Sequence, residues 1–165
     1  MDVIKKRLLL LVLGGFCSCG NNAVQEKEVI QEGMEKIPLD SIKKGLVEQG
    51  YQIFEYKDEE EDTTYLMQQY FIVFLKKGPE RSGGKEETDS LMALHMEHLG
   101  RMYEEGYASI SGPFGDDGDI RGITIYNTPT LEMADSLARI DPMVKSGRLI
   151  VETHPWWAAK GFPLR

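Results

Sequence analysis

Two hydrophobic periods alternate along this chain from residue 38 onward. Ile42, Leu46 and Val47 recur at helical spacing behind Pro38-Leu39-Asp40-Ser41 and predict a short helix to about Gln49, which Gly50 ends. Tyr51 to Lys57 alternates in strand fashion. The charge run Lys57-Asp58-Glu59-Glu60-Glu61-Asp62 reads as a solvated hairpin turn, with an acidic cation site as the lesser alternative. Thr63 to Leu75 predicts a long strand. Its segment Tyr70-Phe71-Ile72-Val73-Phe74-Leu75 is apolar throughout, as a central strand covered on both faces requires. Lys76 to Lys85 is a loop by composition. A helix is predicted from about Thr88 to Glu105, with Thr88 or Asp89 as N-cap. Leu91, His95, Leu99 and Met102 form its stripe, with Leu94 and His98 beside them, which aims His95 at the core face.

Gly106 stops that helix, and Tyr107 to Ser111 follows as a strand. Gly112-Pro113 breaks into a turn-rich loop that ends at Asp119. Ile120, Gly122, Thr124 and Tyr126 then share one strand face, and Arg121, Ile123 and Ile125 the other. Thr128-Pro129 predicts a helix start, with Leu131, Ala134, Leu137 and Ala138 as the buried stripe. Asp141-Pro142 ends this helix, Gly147 closes a short connection, and Leu149 to Thr153 is the last strand. His154-Pro155-Trp156-Trp157 predicts an exposed or dimer-facing tail. From Thr63 the order is strand, helix, strand, strand, helix, strand: the split βαβ pattern of an α+β, ferredoxin-like βαββαβ fold. Two helices cover one face of such a sheet, and the bare face predicts a homodimer. The helix and strand of residues 38–62 are expected to extend one edge.

Charge and cysteine placement narrow the setting. The 165 residues suit one domain plus appendages, and the formal net charge of −8 argues against a nucleic-acid partner. Cys17 and Cys19 both lie near the N-terminus, so the folded part offers no disulfide and no thiolate metal site. Lys5, Lys6 and Arg7 precede a short apolar run from Leu8 to Gly15, too short to span a bilayer. With Ser18 just before Cys19, residues 1–18 resemble a bacterial lipoprotein signal. That resemblance implies cleavage after Ser18, lipidation of Cys19 and residence in the cell envelope; a plain secretory signal is the alternative. Residues 1–18 carry three basic and one acidic side chain, so removing them takes the charge from −8 to −10. Anionic lipid would repel such a domain, and a lipid anchor would have to hold it there. Residues 19–37 read as a flexible tether, and residues 63–160 as the main domain.

A further set of residues carries a resemblance. The Tyr70–Leu75 strand exits through Lys76-Lys77-Gly78-Pro79, and His95 precedes Gly106 by eleven positions. Then come Gly112-Pro113-Phe114, Asp116-Asp117-Gly118, Arg121-Gly122, Asp141-Pro142, Val144-Lys145-Ser146-Gly147 and His154-Pro155-Trp156. In this order the chain from Tyr70 to Trp157 resembles the YciI-like (YCII-related) proteins, dimeric α+β barrels related in fold to muconolactone isomerases. The resemblance implies a His–Asp pair in a small pocket, mapped here to His95 and Asp141. No cofactor is assigned. One branch similar in fold eliminates chloride from a chlorinated aromatic ring intermediate, with the histidine as base.

Taken by its chemistry, His95 suits a general base at neutral pH, and a carboxylate on its far nitrogen would fix its tautomer. A core histidine bonded to a backbone carbonyl is the competing reading, as ordinary Asp-Pro turn chemistry is for Asp141. Arg121 is the best group to greet an anionic substituent, or else an ion-pair partner of Asp117 or Asp119. His98, Gly112 and Pro113 complete the expected substrate-binding set. His95 and His98 could also share a metal, but spacing places no third ligand among Glu97, Glu104 and Asp117, and no metal is assigned. Trp156 and Trp157 are expected to seal the dimer and His154 to be structural; no P-loop, nucleophile elbow or dinucleotide fingerprint is present. Two functions follow. One is a small enzyme that abstracts a proton in an elimination or isomerisation; the other is a non-catalytic envelope protein that binds a small ligand or partner.

Overall fold

The computed structural model describes residues 39–162 and 164. The leader, the tether and Cys19 lie outside these residues. In chain order the elements are α1 (Leu39–Glu48), β1 (Ile53–Asp58), β2 (Thr63–Lys77), α2 (Lys85–Glu104), β3 (Ala108–Pro113), β4 (Ile120–Tyr126), α3 (Leu131–Arg139), α4 (Pro142–Lys145) and β5 (Leu149–Ala159).

β2 is the spine of one antiparallel sheet. β5 pairs with it from Met67 to Lys77 and occupies one edge. β4 pairs with the other edge from Phe71 to Lys76, and β1 takes that same edge from Thr63 to Gln68. β3 lies outside β4. The order β5-β2-β4-β3, with α2 and α3 as the crossovers, is the ferredoxin-like α+β arrangement, and α1 and β1 extend it. The acidic run between β1 and β2 is a turn: Asp58 Oδ1 accepts from the backbone N–H of Glu60 at 3.0 Å and of Glu61 at 3.1 Å.

Alternation along β2 sends Phe71, Val73 and Leu75 to the helix side, where they are buried with Met102, Ala134, Ala138, Met143, Tyr126 and Leu149. Each Phe, Val, Leu or Met among them stabilises the fold by roughly 1.5–3 kcal/mol on leaving water. Ile72 and Phe74 point the other way with Ile123 and Ile125, and are half-buried. The central strand is thus covered by helices on one face.

Several local expectations are corrected. α2 begins at Lys85 behind an extended Gly84 that makes no side-chain cap, and Thr88 sits inside the first turn, donating Oγ1–H to the Gly84 carbonyl at 3.0 Å. Leu94 is 46% exposed, and the buried row is His95, His98 and Met102. Gly112-Pro113 does not break the chain: both residues pair with β4, because β3 is an edge strand that tolerates a missing N–H. α3 starts at Leu131 with Thr130, not Thr128, as cap; Thr130 Oγ1 accepts from Met133 N–H at 3.2 Å, while buried Thr128 donates to the Thr130 carbonyl. β5 runs on to Ala159, so His154 to Trp157 belong to the strand rather than to a tail.

Candidate functional site: a buried histidine–carboxylate pair on a cavity wall

Asp141 lies where α3 gives way to α4. Pro142 cannot continue the α3 hydrogen bonding but suits the first position of a new helix, and Asp141 becomes the N-cap of that single turn. Its Oδ1 accepts from Met143 N–H at 2.8 Å. Its Oδ2 lies 2.6 Å from His95 Nδ1. Asp141 is 1% exposed and His95 8%. A carboxylate can only accept, so the ring donates from Nδ1, which in the neutral imidazole leaves the lone pair on Nε2. His95 lines a cavity of about 880 Å³. Nε2 makes no hydrogen bond, yet His98 Nε2 is the sole fully enclosed, partnerless side-chain polar atom among the described residues. His95 Nε2 therefore opens on the cavity. Burial, with a smaller contribution from the Asp141 charge, pushes the Tyr126 phenol up, so this neighbour stays neutral.

α2 forms one wall of the cavity through Thr88, Met92, His95, Met96, Leu99 and Tyr103. β3 and β4 supply Ser109 to Pro113 and Arg121 to Ile123. Arg81, Met143, Arg148 and Leu149 close one end. The volume is that of a small-molecule site, and most of the lining is apolar.

The expected substrate-binding residues separate. Gly112, Pro113 and Arg121 line the cavity; His98 does not. The Nη1 of Arg121 donates to the Asp116 carbonyl at 3.1 Å and lies 3.4 Å from both Asp117 Oδ1 and the Gly118 carbonyl. His98 is 2% exposed, its Nδ1 accepts from Arg101 at 3.2 Å, and burial holds its pKa below the ordinary histidine value. Among the described residues no three His, Cys, Asp or Glu side chains are placed to hold a metal ion. His154 stands away from the cavity with Nε2 2.7 Å from Glu152 Oε1, and Trp156 and Trp157 pack against Tyr70 and Phe54.

Arg81, Arg148 and the Met92–Met96–Tyr103 row were not singled out in the sequence. Arg148 is 7% exposed and donates Nη2–H to the Ser82 carbonyl at 2.7 Å. A basic residue between a glycine and a buried strand was the available signal. Gly78 fixes the backbone there: its N–H reaches the Arg148 carbonyl at 2.9 Å, and a Cβ would lie 2.0 Å from the Gly147 oxygen.

Fold and geometry together define a ferredoxin-like α+β domain with a buried histidine–carboxylate pair beside a cavity. The YCII-related domain matches residues 69–156, just over half of the chain, and the chain belongs to that family. A similar solved structure is 5-chloro-2-hydroxyhydroquinone dehydrochlorinase from Burkholderia phenoliruptrix AC1100, in complex with 2,5-dihydroxybenzoquinone. It is 21% identical, with 53% of this chain and 92% of that one covered and a TM-score of 0.40. No curated protein matches the chain.

Proposed function

We propose that this chain is a small cofactor-free enzyme that abstracts a proton from a small molecule and completes an elimination or an isomerisation. The observation that carries the reading is the 2.6 Å contact between His95 Nδ1 and Asp141 Oδ2, behind a ring whose other nitrogen opens on the cavity. In this reading His95 Nε2 takes a proton from a carbon acidified by a neighbouring carbonyl. The electron pair moves to the carbonyl oxygen as an enolate. It then either expels a leaving group or returns to another carbon, where His95 delivers the proton. Asp141 holds the tautomer and favours the imidazolium that forms. Arg121, Gly112 and Pro113 contact the substrate.

Proton exchange from candidate carbonyl compounds in D₂O, followed by NMR, tests the reading. Wild type should wash out the acidic C–H signal, and His95→Ala should lower the rate by about 10²–10⁴-fold, the usual worth of a positioned base. Equal rates in the two proteins overturn it.

The uncovered sheet face and the N-terminal signal supply the setting of this proposal. Ile72, Phe74, Ile123 and Ile125 would be buried against a second copy of the chain, and Cys19 would carry the lipid that keeps the domain at a bacterial membrane. A Cys19→Ala protein that still sediments with membranes would remove the anchor from the picture.

A further inference from the structure

The cavity is lopsided in charge. Arg81, Arg121 and Arg148 line it and, among the described residues, no aspartate or glutamate does, in a chain whose formal net charge is −8. All three arginines come from one end of the sheet: the loop after β2, the start of β4 and the residue before β5. Arg121 is engaged by the acidic loop, and Arg81 is exposed. Arg148 differs from both. It is 7% exposed, its Nη2 is bonded to a neutral carbonyl, and among the described residues no carboxylate closes an ion pair with it, although Glu87 Oε2 stands close: a Cβ on Gly83 would lie 2.4 Å from that oxygen and 2.7 Å from Arg148 Nη2. A guanidinium cannot shed its proton to relieve burial, and because Glu87 is exposed and does not close an ion pair, Arg148 still favours an anion. Among the described residues its remaining nitrogens make no hydrogen bond and are not enclosed, and the residue lines the cavity.

Away from that end the lining turns apolar along Met92, Met96, Leu99 and Tyr103 of α2. His95 lies eleven positions beyond the N-cap Gly84, about 16 Å along a helix axis, and side chains that lean toward the N-terminus bring the ring closer. Cationic end, base and apolar end therefore follow one another along the cavity.

We propose that the ligand is an apolar carboxylic acid. Its carboxylate is seated on Arg148, its reacting carbon lies beside His95 on the order of 10 Å away, and its apolar remainder runs along α2 toward Tyr103. The assignment rests on the reading of this cavity as the substrate site and names the substrate class. A carboxylate fits better than a phosphate. One buried guanidinium offers a single charge, and Glu86 and Glu87 in the first turn of α2 repel a second negative charge.

Calorimetric titration of the full chain with decanoate, decanol, decyl phosphate and acetate tests this. Wild type should bind decanoate, and should bind decanol and acetate at least about tenfold more weakly. Arg148→Met should weaken decanoate on the order of tenfold to a hundredfold and leave decanol unchanged, because the loss is of charged hydrogen bonds alone. Equal affinity for decanol and decanoate, tighter binding of decyl phosphate, or wild-type decanoate affinity in Arg148→Met overturns the proposal. If Arg148→Met does not fold, the comparison of ligands on wild type decides by itself. His95→Ala should still bind decanoate. Decanoate binding without proton exchange on any substrate would remove the enzyme and keep the ligand class.

Discussion

Replacing Asp141 in two ways separates its two tasks. One carboxylate oxygen caps α4 at 2.8 Å and the other holds His95 at 2.6 Å. Asp141→Ala loses both. A lost N-cap costs about 1 kcal/mol, and a ring N–H left buried without an acceptor costs about 1–3 kcal/mol, so the fold should lose about 2–4 kcal/mol. Asp141→Asn behaves differently. Asparagine caps as well as aspartate, and its Oδ1 can keep the Met143 N–H. Its amide then turns a donor toward Nδ1. The ring must accept there, the proton moves to Nε2, and the lone pair that faced the cavity is gone. The Asn protein should lose less than about 1 kcal/mol yet lose the base.

Urea denaturation reads the stabilities, and long-range ¹H–¹⁵N NMR of the imidazole reads the tautomer. Wild type should carry its proton on Nδ1 and Asp141→Asn on Nε2, with proton exchange falling in the second protein while its unfolding midpoint stays near wild type. A wild-type ring protonated on Nε2 refutes the reasoning. So does an Asn variant as unstable as the Ala variant, since the contact would then be a structural staple and nothing more.

Further outcomes follow from single sites. His98 is held below its ordinary pKa by burial, so the unfolded chain takes up its proton more readily; this contribution is complete above about pH 6.5 and is lost as the pH falls below it. His98→Leu removes an enclosed nitrogen without a partner, and in urea titrations should flatten the acid limb between about pH 7 and 5 and cost nothing at neutral pH; an unchanged acid limb counts against it. Gly78→Ala puts a Cβ against the Gly147 carbonyl, where backbone must move, and should cost about 3 kcal/mol by denaturation while weakening ligands held by Arg148. Ile125→Glu places a charge on the uncovered sheet face; sedimentation should give a folded monomer where wild type gives a dimer, and a monomeric wild type would remove the pairing altogether.

The sheet was legible because its signals are local. The apolar run of β2, the alternation in β4 and the Asp141-Pro142 break each declare themselves within a few residues, and their order leaves few topologies. Helix starts were less so. Thr128 and Thr130 are equally good caps on paper, and the choice falls to Thr130 because Thr128 spends its hydroxyl on the Thr130 carbonyl. Arg148 was hidden for a different reason. Its burial depends on the loop after β2 folding back across 66 positions to offer the Ser82 carbonyl, and nothing near Arg148 in the chain announces that partner.

The phase of α2 is the most instructive case. Periodicity gives the step of a helix but leaves its rotation to tertiary contacts, and Leu94 and His98, four positions apart, lie on neighbouring parts of one face, where hydrophobicity alone favours the leucine for burial. Yet Leu94 is 46% exposed and His98 is 2% exposed. Leaving a leucine in water forgoes up to roughly 1.5–3 kcal/mol, and enclosing a partnerless ring nitrogen adds to that cost. Something must hold the helix in the phase that favours the ring over the leucine. Met102 contributes, being 1% exposed one turn further on, but an apolar residue alone could slide. The His95–Asp141 bond cannot slide, since a carboxylate fixed as the cap of α4 accepts from one ring position only. That same rotation turns Met92, Met96 and Leu99 onto the cavity. A departure from the hydrophobic pattern that places His95, Met92, Met96 and Leu99 on one cavity within about two turns of a helix is where local rules are expected to yield to a site.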